Sequence, residues 1–197
     1  MGLRPWLIPA APAVFLATPA AAELSAPEQR MIATVDAEQD RTLSMLETWV
    51  NQNSGSLNSA GVEAVGRMLR SELEPLDFKV EWIDMKKAGR AGHIVARHKG
   101  NGRGKRLLLI GHLDTVFEPD SPFQRWERKG DRGIGPGSGD DKGGMAVMVA
   151  ALRAMQSAGT LEPADISVVV TGDDEDAGAY DGTEADRDRV REAERSA

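Results

Sequence analysis

The sequence contains no cysteine among its 197 residues. Disulfide bonds, thiolate catalysis and cysteine-bound zinc are therefore excluded, and any metal must be bound by histidine and carboxylate side chains. Basic residues are in the minority, with 24 Lys and Arg against 31 Asp and Glu and a formal net charge of −7. This balance argues against a nucleic-acid partner, because such a partner requires a basic surface.

Long uninterrupted apolar runs are also missing, so no spanning membrane segment is expected in the mature chain. Residues 1–22 instead have the pattern of a secretory signal peptide, with Arg4 first, a mostly apolar stretch next and alanines before Glu23 as a cleavage site. Two prolines within the apolar stretch leave a disordered leader as the alternative. The signal peptide predicts a periplasmic or secreted protein.

The hydrophobic pattern predicts an α/β protein. One long helix is expected over residues 26–51, and a second helix begins at Ser59 as its cap, since apolar residues recur in both at a helical period. The continuous apolar run at 106–110 suits a strand buried on both faces. Other expected elements are strands at 78–83, 93–97 and 166–170 and an apolar helix at 145–155. This order predicts a mixed, largely parallel sheet flanked by helices.

An imidazole and a carboxylate, His112 and Asp114, follow the strand at 106–110. Side chains two positions apart on an extended chain point the same way. His112 can therefore bind a metal through one ring nitrogen while Asp114 holds the other ring N–H. Taken alone, the pair is more typical of a strand-end histidine followed by a turn-forming aspartate.

Two adjacent carboxylates, Asp140 and Asp141, lie in a glycine-rich segment before the apolar helix. Their mutual repulsion is offset by the positive end of that helix or by a divalent cation. A carboxylate can also bridge two metal ions in a hydrolytic site. The alternative is an ordinary helix N-cap.

Three consecutive acids, Asp173, Asp174 and Glu175, follow the strand at 166–170. Such a cluster is costly to bury unless it is paired or bound to metal, so one acid can bind a metal while its neighbour accepts a proton from water. An exposed acidic turn is the alternative. A calcium site fits less well, because the alternating ligand spacing of an EF-hand loop is missing. All three groups fall where open α/β sheets place their sites, which predicts a metal-dependent hydrolase.

Three ordered segments resemble the M20 family of co-catalytic zinc peptidases and amidohydrolases, which includes acetylornithine deacetylase and succinyl-diaminopimelate desuccinylase. They are GHLDTV (Gly111–Val116), GPGSGDDKGG (Gly135–Gly144) and TGDDEDAG (Thr171–Gly178). The resemblance runs from about residue 35 to residue 178 and is closest to the glutamate-carboxypeptidase-like members. It implies an enzyme that hydrolyses amide bonds in small peptides or N-acyl amino acids, with two zinc ions in the complete site.

The resemblance also assigns metal ligands. His112 matches the histidine that binds one zinc, and Asp114 matches the acid that orients it. Asp140 matches the bridging carboxylate, and Glu175 matches the carboxylate on the second zinc. Asp141 falls at a variable position and is not expected to be a ligand, although the family often has a cis peptide between these two aspartates.

The general base of the family is a glutamate immediately before the second zinc carboxylate. Here that position is Asp174, whose side chain is one methylene shorter. A general base must lie within hydrogen-bond reach of the water it deprotonates. A shifted register, with Glu175 as the base and Asp176 as the ligand, fits the flanking residues less well.

The expected domain organisation is a signal peptide at 1–22, the N-terminal part of a zinc-hydrolase catalytic domain at 23–178, and a charged tail at 179–197 that is disordered or aberrant. The resemblance places the family's later metal ligands and its dimerisation domain, which makes homodimers possible in complete enzymes, outside this sequence. Each zinc would then keep two protein ligands, so weak metal binding and weak or no activity are expected. A non-catalytic remnant or binding module is the alternative function.

Overall fold

The computed structural model describes residues 23–177, so the signal peptide and tail expected from the sequence lie outside the described residues. The helices are α1 (Ala26–Ala37), α2 (Gln39–Asn51), α3 (Ser59–Leu73) and α4 (Lys142–Ala158). The strands are β1 (Lys79–Asp84), β2 (Gly92–His98), β3 (Arg106–His112), β4 (Glu127–Lys129), β5 (Arg132–Ile134) and β6 (Asp165–Thr171). Among these helices, none has the length and apolarity needed to cross a membrane.

The single N-terminal helix expected over residues 26–51 is wrong, because α1 and α2 are separate helices that meet at Glu38. The backbone of Glu38 is not helical, with φ −99° and ψ 9°. Its carboxylate accepts two hydrogen bonds from Arg153 of α4, at 2.6 and 2.7 Å. This tertiary ion pair stabilises the break, and the hydrophobic period alone does not reveal it.

The cap of α3 is Asn58 rather than the expected Ser59. The side-chain oxygen of Asn58 accepts a hydrogen bond from the backbone N–H of Gly61 at 3.2 Å, which satisfies one of the free donors of the first turn. From this start, α3 buries an apolar stripe that includes Val62, Val65 and Leu69.

The strands β1, β2, β6 and β3 form one sheet in that order. β6 is parallel to β3 and antiparallel to β2, and β1 is antiparallel to β2. The sheet is mixed, as expected, but within residues 23–177 only one of its three pairings is parallel, which corrects the expectation of a largely parallel sheet. The short connection from β1 to β2 requires an antiparallel hairpin, whereas the crossover through α4 makes β3 and β6 parallel.

The main hydrophobic core lies between the helices and one face of this sheet. The register places Ile94 beside Val170 on that face. Both side chains belong to the buried cluster that also contains Leu69 of α3 and Met145 and Val149 of α4. Full burial of such a side chain contributes roughly 1.5–3 kcal/mol. The carboxyl ends of β3 and β6 are therefore held in fixed positions.

The strand β3 differs from its expected environment. Among the described residues it pairs with β6 alone, and Ile110 is 66% exposed. The central, buried strands are β2 and β6, and β6 carries an apolar run similar to that of β3. An apolar run identifies a strand but does not say which strand is central.

The hairpin of β4 and β5 was not expected from the sequence. All six of its strand residues are exposed, and its turn contains Gly130 with φ 65°, a conformation that glycine adopts without strain. The short polar strands offer no hydrophobic alternation that would reveal them. The hairpin belongs to the long segment that connects β3 to α4 beside the strand ends.

Candidate metal centre

Three potential metal ligands converge at the carboxyl edge of the sheet. His112 ends β3, Asp140 precedes α4 and Glu175 follows β6. Because β3 and β6 are adjacent parallel strands, with His112 opposite Thr171, their carboxyl ends lie side by side. One ligand atom from each of the three side chains lies within 4.8 Å of the others. The structure thus brings together the three residues that the sequence selects as metal ligands.

The ring of His112 is oriented by its own strand end. Its Nδ1–H donates to the backbone carbonyl oxygen of Asp114 at 3.1 Å, and Nδ1 lies 3.4 Å from the carboxylate Oδ1 of the same residue. The other ring nitrogen, Nε2, lies 3.0 Å from Oδ1 of Asp140. Two ligands of one tetrahedral zinc ion, each at about 2.0–2.1 Å, lie about 3.3 Å apart. The spacing therefore suits a shared cation.

The electrostatics of the site also favour a cation. The hydrogen bond to Asp114, opposed by burial and supported by Asp140, raises the pKa of His112 to about 10. Carboxylates that stabilise a protonated imidazole stabilise positive charge in general, and a metal ion competes with the proton for Nε2.

Asp114 is fully buried and links three segments of the chain. One carboxylate oxygen accepts hydrogen bonds from the hydroxyl of Ser56 at 2.6 Å and the backbone N–H of Glu175 at 3.0 Å. The other accepts from the backbone N–H of Asp174 at 3.1 Å. Burial alone would raise the pKa of Asp114, but the hydrogen bonds from His112 and these donors lower it. Asp114 therefore positions both His112 and the segment that carries Glu175.

The segment before α3 forms part of the site. Ser54 and Ser56 are buried, and the carbonyl oxygen of Ser54 accepts from the backbone N–H of Thr115 at 2.9 Å. The hydroxyl of Ser56 donates to Oδ2 of Asp114, whereas Nδ1 of His112 lies near Oδ1. A run of small polar residues is the only signal in the sequence, and it does not distinguish a buried turn from an exposed one.

Asp141 does not join the ligand cluster, in agreement with expectation. Its carboxylate accepts a hydrogen bond from the backbone N–H of His112 at 3.3 Å and makes no capping bond to α4. Burial raises the pKa of Asp141. Gly111 and Gly144 leave room for this carboxylate, because a Cβ at either position would collide with it. The peptide bond between Asp140 and Asp141 is cis, as the resemblance implied.

Lys142 is a second residue that the sequence reasoning missed. Its side chain is fully buried, and Nζ donates to the backbone carbonyl oxygen of Gln52 at 2.8 Å. Burial lowers the pKa of Lys142 to about 8. A charged residue at the start of an apolar helix is the only signal in the sequence. The hydrogen bond of Lys142 links the start of α4 to the segment that carries Ser56.

The acids after β6 have three different environments. Asp173 is buried and its Oδ1 lies 3.8 Å from Nδ1 of His93, Asp174 is exposed, and Glu175 is half-buried. The alternative of an exposed acidic turn therefore fits Asp174 alone. The carboxylate of Asp174 is outside the group of converging ligand atoms.

The other two histidines, His93 and His98, hydrogen-bond to the backbone and lie outside the ligand cluster. Nδ1 of His93 accepts a hydrogen bond from the backbone N–H of Gly172 at 3.1 Å, and burial lowers the pKa of His93. His98, at the other end of β2, donates from Nδ1 to the carbonyl oxygen of Ala164 at 2.9 Å.

Comparison with known proteins places this site in a family. Residues 108–195 match peptidase family M20/M25/M40. The chain is 33% identical to carboxypeptidase G2 of Pseudomonas sp. (strain RS-16), over 96% of its own length and 45% of that protein. The chain belongs to the M20 family. This family is one of metallopeptidases, so it implies a metal, and the cluster of His112, Asp140 and Glu175 is a group that can hold one.

Two further similarities extend the M20 assignment. Succinyl-diaminopimelate desuccinylase of Leptothrix cholodnii (strain ATCC 51168 / LMG 8142 / SP-6) is 29% identical, over 72% of this chain and 38% of that protein. The structure of human carnosine dipeptidase 1 matches the fold with a TM-score of 0.67 at 20% identity, over 86% of this chain and 38% of that one. The M20 chain spans less than half the length of each of these relatives.

Replacing Asp114 by Asn should weaken metal binding about 10–100-fold, the range found for partners that orient metal ligands. The amide retains one acceptor oxygen, so one of the two N–H groups of residues 174 and 175 loses its acceptor. That loss should lower the free energy of unfolding by about 1–3 kcal/mol. Zinc titration and urea denaturation measure the two effects.

The matched control is Asp165→Asn, because Asp165 lies at the other end of β6 and accepts from the backbone N–H of Gly100 at 3.0 Å. It should leave metal affinity unchanged. The same loss of affinity in both variants would contradict a positioning role for Asp114.

Proposed function

We propose that this M20 chain carries the zinc centre of an amide hydrolase that acts on peptides or N-acyl amino acids in the manner of a carboxypeptidase. The observation that supports the proposal most directly is the convergence of His112, Asp140 and Glu175 within 4.8 Å above a buried, fully hydrogen-bonded Asp114. The names of the relatives, a carboxypeptidase and a desuccinylase, support the same class of reaction.

The donor set fits zinc, because one imidazole and two carboxylates are ligands that zinc accepts. Two zinc ions would be held with Asp140 shared between them, His112 on one ion and Glu175 on the other. Zinc in such a site supplies a Lewis acid for the amide carbonyl and a nucleophile at neutral pH.

The side chains of the chain itself have distinct proposed roles. Asp114 fixes the orientation of His112 through the contacts at Nδ1. Asp174 accepts the proton of the attacking water, and later returns it to the leaving amine. The backbone N–H of Asp174 donates to Asp114, which fixes the backbone of this residue next to Glu175.

A non-catalytic metal-binding module is a second candidate. Among residues 23–177, the structure brings together three ligand side chains, so each of two ions sharing Asp140 would receive two of them. Catalytic zinc usually has three protein ligands. The shorter Asp174 must also reach the water, and this requirement again favours binding without turnover.

Zinc titration by calorimetry, followed by an assay with N-acyl-glutamate substrates, separates the two functions. The hydrolase proposal predicts zinc binding, turnover that is lost on chelation, and recovery when zinc is returned. Asp174→Asn should then abolish turnover and leave zinc stoichiometry unchanged. Zinc binding without turnover would establish the second function, and an absence of zinc binding would exclude both.

A further inference from the structure

A small cavity lies at the end of the sheet opposite to the metal centre. Its volume is about 270 Å³, and it is lined by residues from the end of β2, the start of β3 and the start of β6. The strand β6 runs from Asp165 beside this cavity to Thr171 beside His112, and a strand of that length extends about 20 Å. A ligand in the cavity therefore makes no contact with the proposed metal ligands.

The lining of this cavity carries more positive than negative charge. Its cationic residues are Arg97, Lys99 and Arg106, and in the described part of the chain Asp165 is the one acid that lines it. The segment 97–106 as a whole contains five Lys and Arg and neither Asp nor Glu, in a chain whose net charge is −7. Cations gathered in one segment of an acidic protein create a local positive potential that attracts anions.

The register of the sheet places two hydrogen-bond donors side by side in the cavity wall. Arg97 of β2 lies directly opposite Ser167 of β6, and both line the cavity. Residues that are directly opposite share a face of the sheet, with Cβ atoms about 4.5–5.5 Å apart. Lys79 of β1 is opposite Arg97 on the other side, so it adds positive charge to the same face. The guanidinium and the hydroxyl can therefore donate to a single ligand.

These donors have no protein partner in the part of the chain that the structure describes. The hydroxyl of Ser167 makes no hydrogen bond there, although this residue is only 5% exposed. The side chains of Arg97, which is half-buried, and Lys99, which is exposed, form neither an ion pair nor a hydrogen bond within the same residues. A buried polar group without a protein partner is costly unless water or an ion satisfies it. The wall therefore suits a ligand that accepts hydrogen bonds and carries negative charge.

Asp165 shapes the site and opposes its ligand. Its Oδ1 accepts a hydrogen bond from the backbone N–H of Gly100 at 3.0 Å, which fixes the glycine-rich segment after β2 beside the start of β6. The negative charge of this carboxylate repels an anion, so it should limit the affinity of the site. It does not prevent binding, because the cationic residues of the lining outnumber it.

We propose that this cavity binds a phosphate group, which accepts hydrogen bonds from Arg97, Lys99 and the hydroxyl of Ser167. The two cationic side chains match a dianion in charge, and the terminal oxygens of a phosphate can accept from a guanidinium and from further donors at once. A neutral apolar ligand would leave the same donors without acceptors. The phosphate can be a free ion or the headgroup of a lipid, since both present the same oxygens. The site does not depend on the proposed hydrolase function.

The test measures phosphate binding to the full chain after metal ions have been removed by chelation and dialysis, so that the metal centre does not contribute. Inorganic phosphate is titrated at about pH 8, where it is largely a dianion, and nitrate at the same ionic strength is the monovalent comparison. The amide chemical shifts of Ser167 and Gly100 report on the cavity itself. Phosphate should saturate one site and bind at least about 10-fold more tightly than nitrate, because charge-assisted hydrogen bonds are the strong ones.

Three variants test the assigned contacts. Arg97→Met keeps much of the aliphatic volume and should weaken phosphate binding at least about 10-fold, the effect of losing a hydrogen bond to a charged group. Ser167→Ala should weaken it at least about 3-fold for the same reason. Asp165→Asn should strengthen phosphate binding at least about 3-fold, because the amide keeps an acceptor for Gly100 and removes the opposing charge. Misfolding cannot imitate this gain of affinity.

Arg128→Met is the matched control for charge, since Arg128 is exposed on β4 and does not line the cavity. It should change phosphate affinity less than about 2-fold, because distant surface charges are screened. Equal weakening by Arg97→Met and Arg128→Met would show that phosphate responds to net charge alone, and would overturn the site. Equal affinities for nitrate and phosphate, or weaker phosphate binding by Asp165→Asn, would overturn it as well.

Vesicles separate the two sources of the phosphate group. The chain is sedimented with vesicles of phosphatidylcholine alone and with vesicles that also contain phosphatidic acid. Phosphate binding in solution without sedimentation would identify a free ion as the ligand. Sedimentation with phosphatidic acid that Arg97→Met abolishes and Arg128→Met retains would identify a lipid headgroup. Failure of both probes to bind at this cavity would overturn the proposal and leave the proposed hydrolase function untouched.

Discussion

Replacing His112 by Ala should weaken zinc binding at least about 100-fold. Changing a residue that merely orients a zinc ligand already lowers affinity about 10–100-fold, and His112 would contribute the ligand itself. Its Nε2 lies 3.0 Å from Asp140, and the variant leaves the cation with carboxylates alone. Competition with a zinc-binding dye at fixed pH measures the change, and circular dichroism shows whether the sheet is retained.

The other two histidines are the controls that the chain itself supplies. His93→Ala and His98→Ala remove buried imidazoles that hydrogen-bond to the backbone rather than to the ligand cluster. They are expected to lower stability and to change zinc affinity much less than His112→Ala does. Equal losses of zinc affinity in all three variants would show that His112 is not a metal ligand.

Replacing Lys142 by Ala should lower the free energy of unfolding by about 2–5 kcal/mol, the range for truncating a buried apolar side chain of similar size to alanine. The change opens a cavity beneath the start of α4 and removes the 2.8 Å hydrogen bond to the carbonyl oxygen of Gln52. Urea denaturation at neutral pH, with the midpoint and slope both recorded, measures the loss.

Two further variants show whether the loss of stability in Lys142→Ala comes from the buried volume or from the charge of the lysine. Lys142→Met fills most of the same volume, so its loss should be smaller than that of the alanine variant. Lys129→Ala changes an exposed lysine paired with the exposed Glu127, and surface changes of this kind stay within about 0.5 kcal/mol. A similar effect from Lys129→Ala and Lys142→Ala would contradict a structural role for the buried lysine.

The convergence of the site could be predicted because it follows from strand direction. His112 and Glu175 each end or follow an apolar strand, and a helix crossover between those strands makes them parallel neighbours. Adjacent parallel strands place their carboxyl ends at the same edge of the sheet, independently of the conformation of the loops. The expectation that Asp141 is not a ligand comes from the family resemblance, in which it falls at a variable position.

The supporting residues could not be predicted, because tertiary contacts place them. Ser56 donates to Asp114 from a segment whose sequence is that of an ordinary polar turn. The buried Lys142 donates to a backbone carbonyl group of the same segment. The break at Glu38 depends on Arg153, which lies far away in the sequence. Neither hydrophobic period nor turn composition contains this information.

The network around Asp114 has a consequence for how the ion would be acquired. Its donors include groups from two segments that are distant from it along the chain, the one before α3 and the one after β6, and closing such loops requires that β6 has already docked beside β3. The ligands are thus arranged by the protein core rather than by the cation. Loading and stripping of metal should therefore be reversible exchange events in a chain that stays folded, unlike the metal-dependent folding of small zinc-finger domains.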